Sequence, residues 1–137
     1  MFQEKEQVWE KEPMSDKLIL VVEDDEAIGT LLVQLLAQET CYQALLAADG
    51  FEALNMVREV KPDLFILDYQ LPSMNGIQLY DRLHIISQLE KVPAILLSAR
   101  LPRYEVEKRS LIGLGKPFDL DELLETVNKA LAHNIIA

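Results

Sequence analysis

Apolar residues along this chain follow two alternating patterns. Short apolar runs at residues 18–23, 43–47, 64–68, 92–98 and 111–115 have the length of β-strands, and the continuous ones read as strands covered on both faces. Between them the apolar positions recur at helical spacing. The sets are Ile28, Leu31, Leu32, Leu35 and Leu36; Ala53, Leu54 and Val57; Leu79, Tyr80 and Leu83; and Leu120, Leu123, Leu124, Val127 and Leu131. Breakers punctuate the pattern. Gly50 opens the second helix and Lys61-Pro62-Asp63 stops it; Pro72 and Asn75-Gly76 mark a loop, and Asp119 stands where a cap of the last helix belongs. Residues 101–109 read as a short charged helix, the least regular of the set. A strand–helix unit repeated five times predicts an α/β domain, with a doubly wound five-stranded parallel sheet and helices on both faces. That domain is expected over residues 16–137. Residues 1–15, polar and with Trp9 alone among charges, read as a tail or short helix outside it.

The strand ends carry the chemistry. Leu64-Phe65-Ile66-Leu67 runs into Asp68, Leu18 to Val22 into Glu23-Asp24-Asp25, Ala94 to Leu97 into Ser98, and Leu111 to Leu114 through Gly115 into Lys116-Pro117. In an open parallel sheet these ends gather at one edge, where ligands bind. Acids, a hydroxyl and an amine gathered there would suit metal-dependent phosphoryl transfer. Each residue alone has a plainer reading. Asp24 or Asp25 could cap the first helix, Asp68 could be a strand-end acid, Ser98 a satisfied hydroxyl and Lys116 a solvated amine. Asn75-Gly76 is assigned a turn role only. His84 and His133 fall away from this edge and read as structural or surface residues.

Composition narrows the setting. The 137 residues fit one domain, and a net charge of -10 argues against direct nucleic-acid binding. A single cysteine, Cys41, allows no internal disulfide and suits a reducing cytoplasm. No apolar stretch reaches the roughly 20 residues of a membrane span, and the charged N-terminus is unlike a secretory signal. No glycine-rich phosphate loop is present.

In this order, Glu23-Asp24, Asp68, Leu71-Pro72, Gly76, Ser98-Ala99 and Lys116-Pro117-Phe118 resemble the receiver domain of two-component response regulators, over roughly residues 16–133. The resemblance implies a flavodoxin-like fold with strand order 2-1-3-4-5. It implies that Asp68 accepts a phosphoryl group from a histidine kinase or histidine phosphotransfer protein. Glu23, Asp24, Asp68 and the backbone carbonyl of Gln70 would hold Mg²⁺, while Ser98 and Lys116 would contact the phosphoryl oxygens. It also implies a cis peptide bond before Pro117 and signalling to a downstream effector protein; the net charge and the short apolar runs, not the resemblance, leave neither nucleic acid nor membrane expected as a direct partner.

Two features depart from that family. The spacing from Ser98 to Lys116 is short, which compresses the fourth-helix region, and Gly113 stands where receivers usually carry Tyr or Phe. Tyr104 is a conceivable substitute for that ring. The chain ends soon after the fifth helix, so a stand-alone receiver that binds a partner or relays its phosphoryl group is expected. A degenerate receiver acting as a phosphorylation-independent interaction module is the alternative. A haloacid-dehalogenase-like phosphohydrolase is a third reading, weakened because Gln70 stands where that family has its second aspartate.

Overall fold

The elements alternate as the pattern predicts: β1 (Leu18–Val22), α1 (Glu26–Glu39), β2 (Gln43–Ala47), α2 (Gly50–Met56), β3 (Leu64–Asp68), α3 (Gly76–His84), β4 (Ala94–Ser98), α4 (Arg103–Lys108), β5 (Ile112–Gly115) and α5 (Leu120–Ile136). The computed structural model describes residues 17–136, with side chains as far as Ala132. The tail expected over residues 1–15, Trp9 within it, and the His133 side chain lie outside the described residues.

The five strands are parallel and ordered β2-β1-β3-β4-β5. Side chains alternate across the sheet as the pleat requires. Leu20, Val22, Phe65, Leu67 and Leu96 join one apolar cluster with Ala53 of α2, Leu79 and Leu83 of α3 and Val106 of α4. Ile19, Val21, Leu64, Ile66 and Leu97 join the other with Leu32 and Leu36 of α1 and Leu123, Val127 and Leu131 of α5. Every residue of β3 and β4 is buried. This explains why these strands read as unbroken apolar runs rather than alternating ones. The strand order reverses at β1, so the C-terminal ends of β1 and β3 meet at the switch point.

Several boundaries and faces differ from expectation. β4 begins at Ala94, because Pro93 has no N–H to give to the ladder; its carbonyl still accepts from the Phe65 N–H at 3.0 Å. β5 begins at Ile112, and α4 is two residues shorter at its start than the spacing suggested. On α1 only Gly29, Leu32 and Leu36 are buried, whereas Ile28 and Leu31 stand 45% and 53% exposed. The apolar arc is wider than the sheet can cover. Gly29 lets α1 pack close to β2: a Cβ would lie 2.6 Å from Leu46 Cδ1, so the Leu46 side chain would have to shift to admit one.

The shortened α4 is braced at its C-terminal end. Pro102 precedes it without a side-chain cap. Arg109 just beyond it donates to both carboxylate oxygens of Asp81 on α3 at 2.8 Å, and the Tyr80 hydroxyl donates to the Arg109 carbonyl at 3.0 Å. The His84 ring nitrogens lie 2.9 Å from the Tyr80 carbonyl and 2.7 Å from that of Val92, which agrees with a structural role. Asp119 caps α5 as predicted: its carboxylate accepts from the Glu122 N–H at 2.8 Å, and Glu122 accepts from the Asp119 N–H at 3.0 Å.

Candidate functional site

Strand register brings the acids together. Val22 pairs with Leu67, so Glu23 and Asp68, each one residue further on, leave the sheet side by side. Carboxylate oxygens of Glu23, Asp24 and Asp68 all lie within 4.8 Å of one another. Glu23 and Asp68 are buried, at 4% and 5% exposure, and Asp24 is exposed. The third acid of the run is diverted: Asp25 caps α1, its carboxylate accepting from the Ile28 N–H at 3.1 Å. The plain cap reading therefore holds for Asp25 and leaves Asp24 free to face the cluster.

One oxygen of Glu23 accepts from the Asp25 N–H at 3.0 Å, and the other, Oε1, is buried with no hydrogen-bond partner. Burial pushes the Glu23 carboxyl above the usual glutamate range. The Asp25 N–H and Lys116 oppose this rise, and the charges of Asp68 and Asp24 add to it. A buried, unpartnered carboxylate oxygen facing two more carboxylates is a costly arrangement for protein alone. It fits a hard divalent cation, which takes oxygen ligands and neutralises such a cluster.

The opposite wall supplies the cation and the hydroxyl. Lys116 Nζ donates to Asp68 Oδ1 at 2.6 Å, and the Lys116 N–H donates to the Ser98 carbonyl at 2.8 Å. The Lys116–Pro117 peptide bond is cis, as the resemblance implied. Ser98, at the buried end of β4, donates its hydroxyl proton to the Arg100 carbonyl at 2.9 Å and accepts from the Arg100 N–H at 3.1 Å. Asp68, Gln70, Ser98, Arg100, Leu101 and Lys116 line a cavity of about 440 Å³. Gln70 is thus at the site, exposed on its rim, while the carboxylate cluster comprises Glu23, Asp24 and Asp68.

The sequence understated two glycines. Gly76 is more than a turn residue: a Cβ there would sit 2.6 Å from the Asp68 carbonyl oxygen and 2.7 Å from Leu96 Cδ1. Its absence lets the start of α3 close against the backbone of the acceptor strand, where the Gly76 N–H donates to the Tyr69 carbonyl at 2.8 Å. Asn75 caps that helix in a reciprocal box with Gln78. At Gly113 a Cβ would lie 3.0 Å from Leu101 Cδ1, so Leu101 already occupies the space above β5. Tyr104 does not take the missing ring's place. It is 71% exposed, with Lys108 Nζ 5.5 Å above its ring, because α4 turns it outward. Among the described residues no helix is long and apolar enough to cross a membrane.

Comparison with known proteins agrees with this geometry. The model of the response regulator receiver domain matches residues 19–128. The chain is 34% identical over 120 residues to sporulation initiation phosphotransferase F of Bacillus subtilis (strain 168), covering 86% of this chain and 96% of that protein. It is 35% identical over 120 residues to the DNA-binding response regulator MtrA of Mycobacterium tuberculosis (strain ATCC 25618 / H37Rv), where the match covers 85% of this chain but 51% of that protein. Among solved structures, chemotaxis protein CheY4 of Vibrio cholerae superposes with a TM-score of 0.79 at 28% identity, covering 85% of this chain and 100% of the other. With its family match spanning most of the sequence and its strand order that of the solved receivers, the chain belongs to the response regulator receiver domain family.

Proposed function

We propose that the chain is an active receiver that accepts a phosphoryl group on Asp68 from a histidine kinase or histidine phosphotransfer protein and signals through protein–protein contacts. The observation that carries this reading is the pairing of Asp68 with Lys116 at 2.6 Å beside two further carboxylates within 4.8 Å. An Asp68 oxygen attacks phosphorus, the bond from phosphorus to the donor's imidazole nitrogen breaks, and an acyl phosphate forms on Asp68. Lys116 pairs with the phosphoryl oxygens as a compact mobile charge, and Ser98 turns its hydroxyl proton toward them. Glu23, Asp24, Asp68 and the Gln70 carbonyl would hold Mg²⁺, which supplies charge neutralisation as an anion approaches a carboxylate. Apart from self-phosphorylation and self-dephosphorylation no enzyme activity is proposed, and the setting is cytoplasmic.

Similarity along nearly the whole length of sporulation initiation phosphotransferase F supports a relay in which the phosphoryl group passes onward. The DNA-binding activity in the name of MtrA is not carried over, since the chain spans about half of that protein. The test is intact mass after incubation with Mg²⁺ and acetyl phosphate. A single phosphoryl adduct is expected, and it is absent from Asp68→Asn. A folded protein that shows no adduct at ample Mg²⁺ would overturn the reading in favour of a degenerate interaction module.

A further inference from the structure

In the loop from β3 to α3, between Tyr69 and Asn75, one side chain is buried: Met74. The same loop carries Gln70, whose carbonyl the reading above counts among the Mg²⁺ ligands. The ends of the loop are tied to the sheet. The Tyr69 N–H donates to the Leu97 carbonyl at 2.9 Å, and the Gly76 N–H donates to the Tyr69 carbonyl at 2.8 Å. Its middle is a tight turn. The Met74 N–H donates to the Pro72 carbonyl at 2.8 Å, and Ser73 takes φ 73°, a left-handed conformation that a residue other than glycine keeps only where its surroundings hold it. What holds this turn down is the Met74 side chain.

Met74 lies on Gly50, the first residue of α2. A Cβ at 50 would sit 2.8 Å from both Met74 Cγ and Sδ and 3.1 Å from Cε. Gly50 is itself fixed by the cap of its helix. The Asp49 carboxylate accepts from the Glu52 N–H at 2.8 Å, and Glu52 accepts from the Ala48 N–H at 2.6 Å. At the end of β2 the Ala47 carbonyl accepts from the Glu23 N–H at 3.1 Å. Residues 47–50 thus brace both arms of the acidic site, the backbone of Glu23 directly and the Gln70 loop through Met74. Neither Met74 nor Gly50 belongs to the carboxylate cluster or to the lining of the 440 Å³ cavity.

Divalent cations differ in how much they need such bracing. Mg²⁺ demands nearly ideal octahedral oxygen geometry, whereas Ca²⁺ accepts about six to eight oxygens in flexible arrangements. A carbonyl on a loosened loop can still serve Ca²⁺ and fails Mg²⁺ first. Resting on the phosphoacceptor reading and its Mg²⁺ site, we propose that Met74, seated on Gly50, is the positioning residue for the Gln70 carbonyl, and that this seat sets the preference of the site for Mg²⁺ over Ca²⁺. Met74 acts through the loop backbone and supplies no ligand atom.

Isothermal titration calorimetry on the full chain measures the dissociation constants of Mg²⁺ and Ca²⁺ separately, and a thermal melt in chelator checks that each variant is folded. In Met74→Ala the Mg²⁺ dissociation constant is expected to rise about tenfold or more, the low end for losing a group that orients a ligand, while that of Ca²⁺ changes much less. Met74→Leu fills a similar volume and is expected to keep the wild-type ratio of the two constants. Unchanged Mg²⁺ binding in folded Met74→Ala overturns the proposal. So does a loss shared equally by both ions, which is what general loosening produces; in either case the phosphoacceptor reading survives. A wild type that binds no Mg²⁺ overturns that reading first, and the proposal with it. Gly50→Ala guards against a Met74→Ala protein that does not fold. Its Cβ displaces Met74 without emptying the core, and it is expected to weaken Mg²⁺ more than Ca²⁺; an equal effect on both ions, or none, overturns the proposal.

Discussion

Replacing Glu23 by Gln tests whether the acids are as mutually costly as their geometry implies. Glu23 and Asp68 are both buried, with carboxylate oxygens within 4.8 Å. Coulomb's law gives about 3.5 kcal/mol for two unit charges at that separation with an effective dielectric of about 20. Lys116, 2.6 Å from Asp68, cancels part of this, and the amide of Gln can point a donor at the cluster where Glu23 Oε1 has no partner. A net gain of about 2 kcal/mol for the metal-free variant at neutral pH follows. For a chain of this size about 1 kcal/mol moves the melting midpoint about 4 °C, so Glu23→Gln is expected to melt about 8 °C higher than wild type in chelator. The gap should narrow in metal. At a hundred times its dissociation constant, Mg²⁺ stabilises the wild type by about 2.7 kcal/mol, and the variant, having lost a charged ligand, by about half that or less. The pH dependence follows from burial raising the Glu23 pKa in the folded state. Such a group favours folding below its unfolded value and loses that contribution as pH rises through its folded value, so the chelator gap should close toward pH 4 and open above it. Thermal melts by circular dichroism in chelator and in Mg²⁺ decide the matter. A variant no more stable than wild type in chelator at pH 7, or an undiminished Mg²⁺ shift, would refute the reasoning.

Three further outcomes are expected. Asp68→Asn should remove the phosphoryl adduct in the mass spectrum and also raise the metal-free melting temperature, because it takes one charge from the same cluster. Gly76→Ala should cost about 1–3 kcal/mol in urea unfolding, since its Cβ would press on the Asp68 carbonyl and Leu96; an unaffected midpoint would show that α3 can shift freely. Arg109 holds the half-exposed Asp81 carboxyl below the usual aspartate range. That contribution is present above the unfolded aspartate value and disappears as pH falls through the folded one. Asp81→Asn should therefore cost less than about 1 kcal/mol at pH 7 and converge with wild type in acid, a gap that also shrinks in high salt.

The sheet and the polar strand ends are legible in the sequence because burial on both faces writes β3 and β4 as unbroken apolar runs, each stopping at a polar residue. The charged stretch of residues 101–109 also reads as a short helix, and α4 forms within it at six residues. Periodicity does not tell how much of an apolar arc the sheet covers, so Ile28 and Leu31, which the spacing places inward, stand exposed. It divides the acidic triplet no further than to say that one member caps α1; the hydrogen bond from the Ile28 N–H assigns this to Asp25. The glycines are least readable. Gly76 and Gly113 matter through what lies against them, Asp68 with Leu96 in one case and Leu101 in the other, and contacts between distant segments leave no mark on local spacing.

The complete enclosure of β3 and β4 has a last consequence. The aspartate and the serine terminate two strands that are buried along their whole length, and buried strands are the elements least prone to local opening. Reaction geometry and recognition are thereby mechanically divorced. Rim segments can diversify toward new partners while the nucleophile and the hydroxyl stay where the two buried strands end.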